Sequence, residues 1–214
     1  MKIKAVMIDF DGTLANTNGA IIKSFQHTYR TFLGREEDER IIKSSFGEPL
    51  RITMEKIFGE ELRDEAVNVY RSFQQDRFER LIEIFPGMDD LVNSLREQGY
   101  KVALVTSRLR ESAMLGIEKF GLADSFDAIT TIDELTRHKP DPEAINVTLK
   151  KLNVSAGEAV MIGDSKFDIL CAANAGCRSV LVDWSVTEKE ERNRLNADYI
   201  AKNAEDIIRW INMN

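Results

Sequence analysis

The chain has 214 residues, 43% of them hydrophobic, enough for one substantial core and a smaller second unit. Its formal charge of −7 argues against broad contact with a nucleic-acid backbone, and no apolar run is long enough to span a membrane. Neither nucleic acid nor membrane is therefore expected as a partner. The opening Met1-Lys2-Ile3-Lys4 passes straight into an apolar segment without a leader-like stretch. Cys171 and Cys177 sit in Ala-rich surroundings without His or Cys neighbours at ligand spacing, so they read as reduced, packed thiols. A cytoplasmic protein is expected.

Residues 3–8 form a continuous apolar run, which predicts a strand buried on both faces. Asp9-Phe10-Asp11-Gly12-Thr13 follows at once. Gly12 predicts a turn, which lets both carboxylates converge just beyond the strand, where open α/β sheets place their ligands. A carboxylate there can serve as metal ligand and as nucleophile. Taken alone, the motif reads equally well as a turn with two solvated acids. Residues 17–84 change character. Ile21, Ile22, Phe25, Tyr29 and Phe32 fall at helical spacing before Gly34 and a run of charges. A second helix follows Gly47-Glu48-Pro49 and ends at Gly59, and a long helical pattern runs from Leu62 to Leu81. No strand is predicted here, so an all-helical insertion is expected, with crossings near 14–18 and 82–87.

From residue 88 onward, helices and short apolar strands alternate. Helices are predicted over 88–98, 109–120, 142–152 and after Ser165; strands at 102–105, 128–129, 159–162 and 179–182. The alternation calls for a doubly wound, Rossmann-like parallel sheet, giving an α/β core of residues 1–16 and 85–214 around a helical insertion of 17–84. The residues after Asp183, including the charged run 188–194, read as a solvated helix and a closing strand–helix pair.

Three further signals sit where this sheet would place them. Thr106-Ser107 offers two hydroxyls and the start of a helix, both suited to a phosphate, although such residues are commonly turn formers. Lys139 lies in a loop stiffened by Pro140 and Pro142 and presents a point charge to an anion. Gly163-Asp164-Ser165-Lys166-Phe167-Asp168 adds two acids one helical turn apart, with a helix N-cap as the plain alternative for Asp164.

In this order the motifs resemble those of the haloacid dehalogenase-like superfamily: Asp9-x-Asp11-Gly12-Thr13, then Thr106 with Ser107, then Lys139, then Gly163-Asp164-x-x-x-Asp168. The resemblance covers essentially the whole chain. It implies a phosphohydrolase in which Asp9 attacks phosphorus to form an aspartyl-phosphate, while Asp11 acts as acid and then as base. Asp9, Asp164 and the main-chain carbonyl of Asp11 would hold the metal. Four acids gathered at one place need a cation, and hard oxygen donors suit Mg²⁺. Thr106, Ser107 and Lys139 would bind the transferring phosphoryl group, with Asp168 in support. Asp11 sets the chain apart from ion-pumping relatives, which carry Thr there, and from the dehalogenases, which lack the acid pair.

The insertion resembles the superfamily's small helical (C1-type) cap, which closes over a small phosphorylated substrate. Arg51, where relatives carry a specificity loop, is a candidate contact for a second anionic group, although an exposed helix residue is the plainer reading. Arg108, beside Thr106-Ser107, is weighed the same way. A finer resemblance is to the phosphoglycolate phosphatase and bacterial pyrophosphatase branch, carried by Asn16-Thr17-Asn18, Ile21-Ile22, Ser24-Phe25, His27-Thr28 and Tyr70-Arg71-Ser72-Phe73. Pyrophosphate is the first candidate substrate, with phosphoglycolate and other small phosphate esters as alternatives. A β-phosphoglucomutase-like enzyme is the alternative, but that enzyme's cap histidine corresponds to a place near Ile21, and the nearest histidine is His27. A non-catalytic binding protein on the same fold is the alternative of another class. No surface is assigned to an oligomer, so monomer and homodimer both remain open.

Overall fold

The structure, a computed structural model, describes residues 2–75, 77–184, 186 and 189–214. β1 (Ala5–Ile8) opens the chain, and β2 (Ala15–Asn16) follows the acid-rich turn. Five helices come next: α1 (Asn18–Leu33), α2 (Glu39–Ser44), α3 (Leu50–Phe58), α4 (Arg63–Gln75) and α5 (Phe78–Leu81). β3 (Glu83–Ile84) returns the chain to α6 (Met88–Glu97), β4 (Lys101–Val105), α7 (Arg110–Lys119) and β5 (Ala128–Thr130). Then come α8 (Glu143–Leu152), β6 (Ala159–Gly163), α9 (Lys166–Ala175), β7 (Arg178–Val182), α10 (Lys189–Arg192), β8 (Tyr199–Ala201) and α11 (Ala204–Met213).

The main sheet runs β5-β4-β1-β6-β7-β8 with every neighbouring pair parallel. β1 lies at its centre, and the order reverses on either side of it. Strand ends β1, β4 and β6 thus open at one crevice, which is where ligands bind in such sheets. The middle of the sheet is buried on both faces: every residue of β1 and β6 is buried, as is every residue of β4 after Lys101 and of β7 after Arg178. Val6, Ile8, Leu104 and Ile162 join one apolar cluster with α6, α7 and α11, while Met7, Ala103, Val105 and Met161 join another with α8 and α9. A third cluster, built from Phe25, Tyr29, Ile42, Met54, Ala66, Val67 and Tyr70, holds α1 to α4 together.

The predicted strands and core helices are present, with ends shifted by a residue or two. Three features differ from the sequence reading. β2 and β3 pair as a short antiparallel ribbon across the two crossings, where no strand was predicted. Two-residue strands carry too little pattern to be seen. The charged run after Gly34 contains α2, started by Asp38, whose side chain accepts from the Arg40 N–H at 2.8 Å. The long pattern ending at Leu81 divides into α4 and α5, and Asp76 between them lies outside the described residues. Of the charged run 188–194, Lys189–Arg192 forms α10, and Glu188 lies outside the described residues. Among the described residues, no helix is long and apolar enough to cross a membrane.

Candidate active site

β1 delivers its acids through hydrogen bonds that outlast the strand. The Asp9 N–H still donates to Ile162 O at 2.9 Å, so Asp9 is held in line with β6. Leu14 N then donates to Asp9 O and Ala15 N to Phe10 O, closing a wide turn around residues 10–13. Gly12 makes that turn possible. Its φ is +76°, and a Cβ there would lie 2.3 Å from Asp164 Oδ2, so the turn meets Asp164 only without a side chain. Phe10 goes into the core, where it is fully buried.

Lys139 reaches this point from the β5–α8 connection. Its ammonium donates to Asp9 Oδ1 at 2.8 Å, Asp168 Oδ1 at 2.6 Å and Val105 O at 2.8 Å, which satisfies all three of its hydrogens. Asp168 is locked in turn. Its Oδ2 accepts from Ser165 Oγ at 2.6 Å and from Ser165 N, forming the capping box that starts α9. Burial pushes the Asp9 carboxyl up to about 7, opposed by Lys139 and reinforced by Asp168 and Asp11. Asp164 is also held well above the carboxylate range, first by burial and then by Asp168, Asp9 and Asp11. Burial works against the Lys139 ammonium, but Asp168 and Asp9 outweigh it and keep the lysine charged.

Asp9, Asp164 and Asp168 bring carboxylate oxygens within 4.8 Å of one another, all three buried. One buried ammonium does not balance three buried carboxylates. The donor set is entirely oxygen, and the Gly12 cradle keeps Asp164 within reach of the turn; these residues fit a hard divalent cation. Asp11 is placed differently. Its two carboxylate oxygens are taken by Arg108, Nη2 to Oδ1 at 2.6 Å and Nε to Oδ2 at 3.0 Å. Thr106 is buried at the end of β4, and its Oγ1 accepts from Arg108 N.

Above the acids lies a cavity of about 250 Å³ between the insertion and the sheet. Asp9, Asp11, Ser107, Arg108 and Lys139 line it from the sheet side; Ile21, Phe25, Phe46, Tyr70, Arg71 and Gln74 line it from the insertion. The α2–α3 connection touches the opposite wall, since a Cβ on Gly47 would lie 2.8 Å from Ser165 Oγ.

The family model for haloacid dehalogenase-like hydrolases matches residues 6–182, a span that includes every acid just described together with Thr106 and Lys139. The chain belongs to the haloacid dehalogenase-like hydrolases. It is 33% identical over 208 residues to the pyrophosphatase PpaX of Halalkalibacterium halodurans, covering 97% of this chain and 96% of that one. The pyrophosphatase PpaX of Bacillus cereus matches to the same extent. Among solved structures, a predicted phosphatase from Clostridium acetobutylicum superposes with a TM-score of 0.90 at 25% identity over the full length of both chains. A predicted phosphoglycolate phosphatase from Haemophilus somnus shares the fold with a TM-score of 0.83 at 21% identity, covering 98% of each chain.

In this haloacid dehalogenase-like hydrolase the structure gathers Asp9, Asp11, Ser107, Arg108, Lys139 and Asp168 on one cavity, with Thr106 and Asp164 immediately behind. Arg51 stands apart. It is exposed, pairs with Asp64 at 2.7 Å and does not line the cavity. The neighbouring cation that does line the cavity is Arg71, which forms no ion pair with any described residue. Sequence reading quoted Arg71 only within a resembling stretch, because helical periodicity shows which residues share a face but not which domain that face meets. Tyr70 was quoted in that same stretch only, and Gln74 was missed, for the same reason. His27 stacks on Phe73 at 4.4 Å and is absent from the cavity wall, so it is a packing residue.

Proposed function

We propose that this hydrolase is a Mg²⁺-dependent phosphatase that cleaves a small phosphorylated substrate, pyrophosphate or a monoester such as phosphoglycolate, through an aspartyl-phosphate on Asp9. The observation that carries this reading is the buried Asp9 carboxylate, oriented by Lys139, with Asp11 facing the same cavity. The relatives named pyrophosphatase favour pyrophosphate as the first substrate to test.

Asp9 attacks phosphorus as nucleophile, and the bond from phosphorus to the leaving oxygen breaks. Asp11 in its protonated form gives that proton to the leaving oxygen. In the second half-reaction Asp11 takes a proton from water, whose oxygen attacks phosphorus and frees phosphate and the Asp9 carboxylate. Thr106 and Ser107 hold the phosphoryl oxygens, and the Lys139 charge beside Asp9 offsets theirs. Asp9, Asp164 and the Asp11 main-chain carbonyl would hold Mg²⁺, which supplies positive charge to the transferring phosphoryl group. Asp168, engaged by Lys139 and Ser165, fixes the lysine. The helices of 17–84 act as a cap that excludes water over the core of 1–16 and 85–214.

The mutase alternative is disfavoured by the residue near its cap-histidine position being Ile21, while His27 stacks on Phe73 away from the cavity wall. The deciding experiment is phosphate release from pyrophosphate, phosphoglycolate, β-glucose 1-phosphate and nucleoside monophosphates, with Mg²⁺ and with EDTA. Metal-dependent release led by one substrate supports the reading and names that substrate. Absence of metal-dependent release from every substrate overturns it.

A further inference from the structure

Arg108 makes more contacts than a substrate-binding arginine requires. Its guanidinium grips both oxygens of Asp11 and is itself held by groups from the helical insertion. Nη1 donates to Gln74 Oε1 on α4 at 3.0 Å and to Ser112 Oγ on α7 at 2.6 Å. The guanidinium carbon lies 4.2 Å from the centre of the Phe78 ring on α5 and 5.7 Å from that of Phe10. The side chain is only 8% exposed. Two of its partners, Gln74 and Phe78, come from the insertion, while Asp11, Ser112 and Phe10 belong to the core. Arg108 therefore links the position of the insertion to Asp11.

We propose that Arg108 is a positioning residue that couples closure of the helical insertion to the orientation of Asp11, chiefly for the water-activating half of the reaction. The proposal rests on the aspartyl-phosphate reading above. A two-pronged guanidinium fixes the rotation of a carboxylate far better than a single contact does. It still leaves each oxygen a second lone pair, and an ionised carboxylate needs one to accept the proton of an attacking water. When the insertion moves away, Gln74 and the Phe78 ring leave the guanidinium, and Asp11 loses its fixed orientation. Hydrolysis of the phosphoenzyme would then be fastest only under a closed cap.

The test is pre-steady-state turnover of 4-nitrophenyl phosphate with Mg²⁺. Its leaving group departs without help from an acid, so the second half-reaction is isolated. Arg108→Met should show a burst of nitrophenolate close to one per enzyme, then steady turnover slowed about 10- to 100-fold, as expected for a misplaced catalytic group. Gln74→Leu, which leaves Asp11 and Arg108 in place, should move the same way by a smaller factor. Should Arg108→Met fail to fold, Arg108→Lys keeps the buried charge without the fork and is read identically.

Slow turnover without a burst would overturn the proposal, as would a raised KM with unchanged kcat, which marks an arginine that only binds substrate. An unaltered Gln74→Leu would overturn the coupling to the insertion. Asp11→Asn separates the two levels of inference. A burst there, with none in Arg108→Met, removes the role of Arg108 alone. No burst in either, with no wild-type turnover, removes the aspartyl-phosphate reading itself.

Discussion

Burial draws the Asp9 carboxyl up to about 7, with Asp168 and Asp11 adding to the shift and Lys139 opposing it. A carboxyl raised in the folded state keeps a proton that the unfolded chain has already lost. Folding is then penalised progressively as pH climbs from near 4 to 7, and the penalty is complete above that range. The metal-free protein should melt at a lower temperature at pH 8 than at pH 5. Mg²⁺ should raise the melting temperature more at pH 8, because it binds the ionised acids. Thermal melts at both pH values, with Mg²⁺ and with EDTA, check this; a Mg²⁺ shift absent or equal at both would refute it. At the same scale, Asp9→Asn should cut turnover by roughly a thousand-fold or more while the protein still melts cooperatively, since it deletes the proposed nucleophile. Asp11→Asn should slow turnover and let a phosphoenzyme build up, visible as acid-stable label from a ³²P-labelled substrate. Near-native rates in either variant would remove the role assigned.

The elements bring these residues together through short connections rather than through the strands alone. β1, β4 and β6 end side by side because they are adjacent in the sheet, and the turn after β1, Thr106-Ser107 and the start of α9 therefore share one crevice. The α2–α3 connection closes the crevice from above. Gly47, with φ of +82°, brings its backbone against Ser165 and Phe167, and a Cβ would come within 2.9 Å of the Phe167 ring. Glu48 beside it is tied to Thr53 Oγ1 and Lys56, so the connection has little freedom to yield. Gly47→Ala should lift the insertion from α9, raising KM several-fold with only a small change in melting temperature. Steady-state kinetics beside a circular-dichroism melt would show the split. An unchanged KM would mean that this contact does not govern closure.

Across the whole molecule the apolar interior falls into three clusters, two against the sheet and one inside the insertion. The insertion thus has its own core and joins the sheet by two short crossings, the β2–β3 ribbon. That construction suits a cap that moves as a unit. Met54 is fully buried in the third cluster and takes no part in the cavity wall. Met54→Ala should cost about 2–5 kcal/mol, confined to the insertion. Hydrogen exchange would reveal it as faster exchange in α1, α3 and α4 with unchanged protection of β1, β4 and β6. Equal acceleration in both regions would mean that the molecule opens as one cooperative body.

What the sequence by itself determined was the family's motif residues and the alternation of strands and helices. The mainly apolar strands, the helices between them and the acids at 9, 11, 164 and 168 are local patterns, and local patterns survive without tertiary knowledge. Thr106 was legible as a hydroxyl directly after an apolar segment, and Lys139 as a charge in a loop stiffened by Pro140 and Pro142. Tertiary structure alone decided the rest. Asp168 joins Asp9 and Asp164 in the buried acid cluster, while the Asp11 carboxylate turns to Arg108. Arg71 rather than Arg51 faces the cavity. The two-residue strands, and the Gln74 contact across 34 positions of sequence, leave no periodic trace. Such choices depend on which faces of separately folded units meet, and that is settled by packing between segments far apart in the chain.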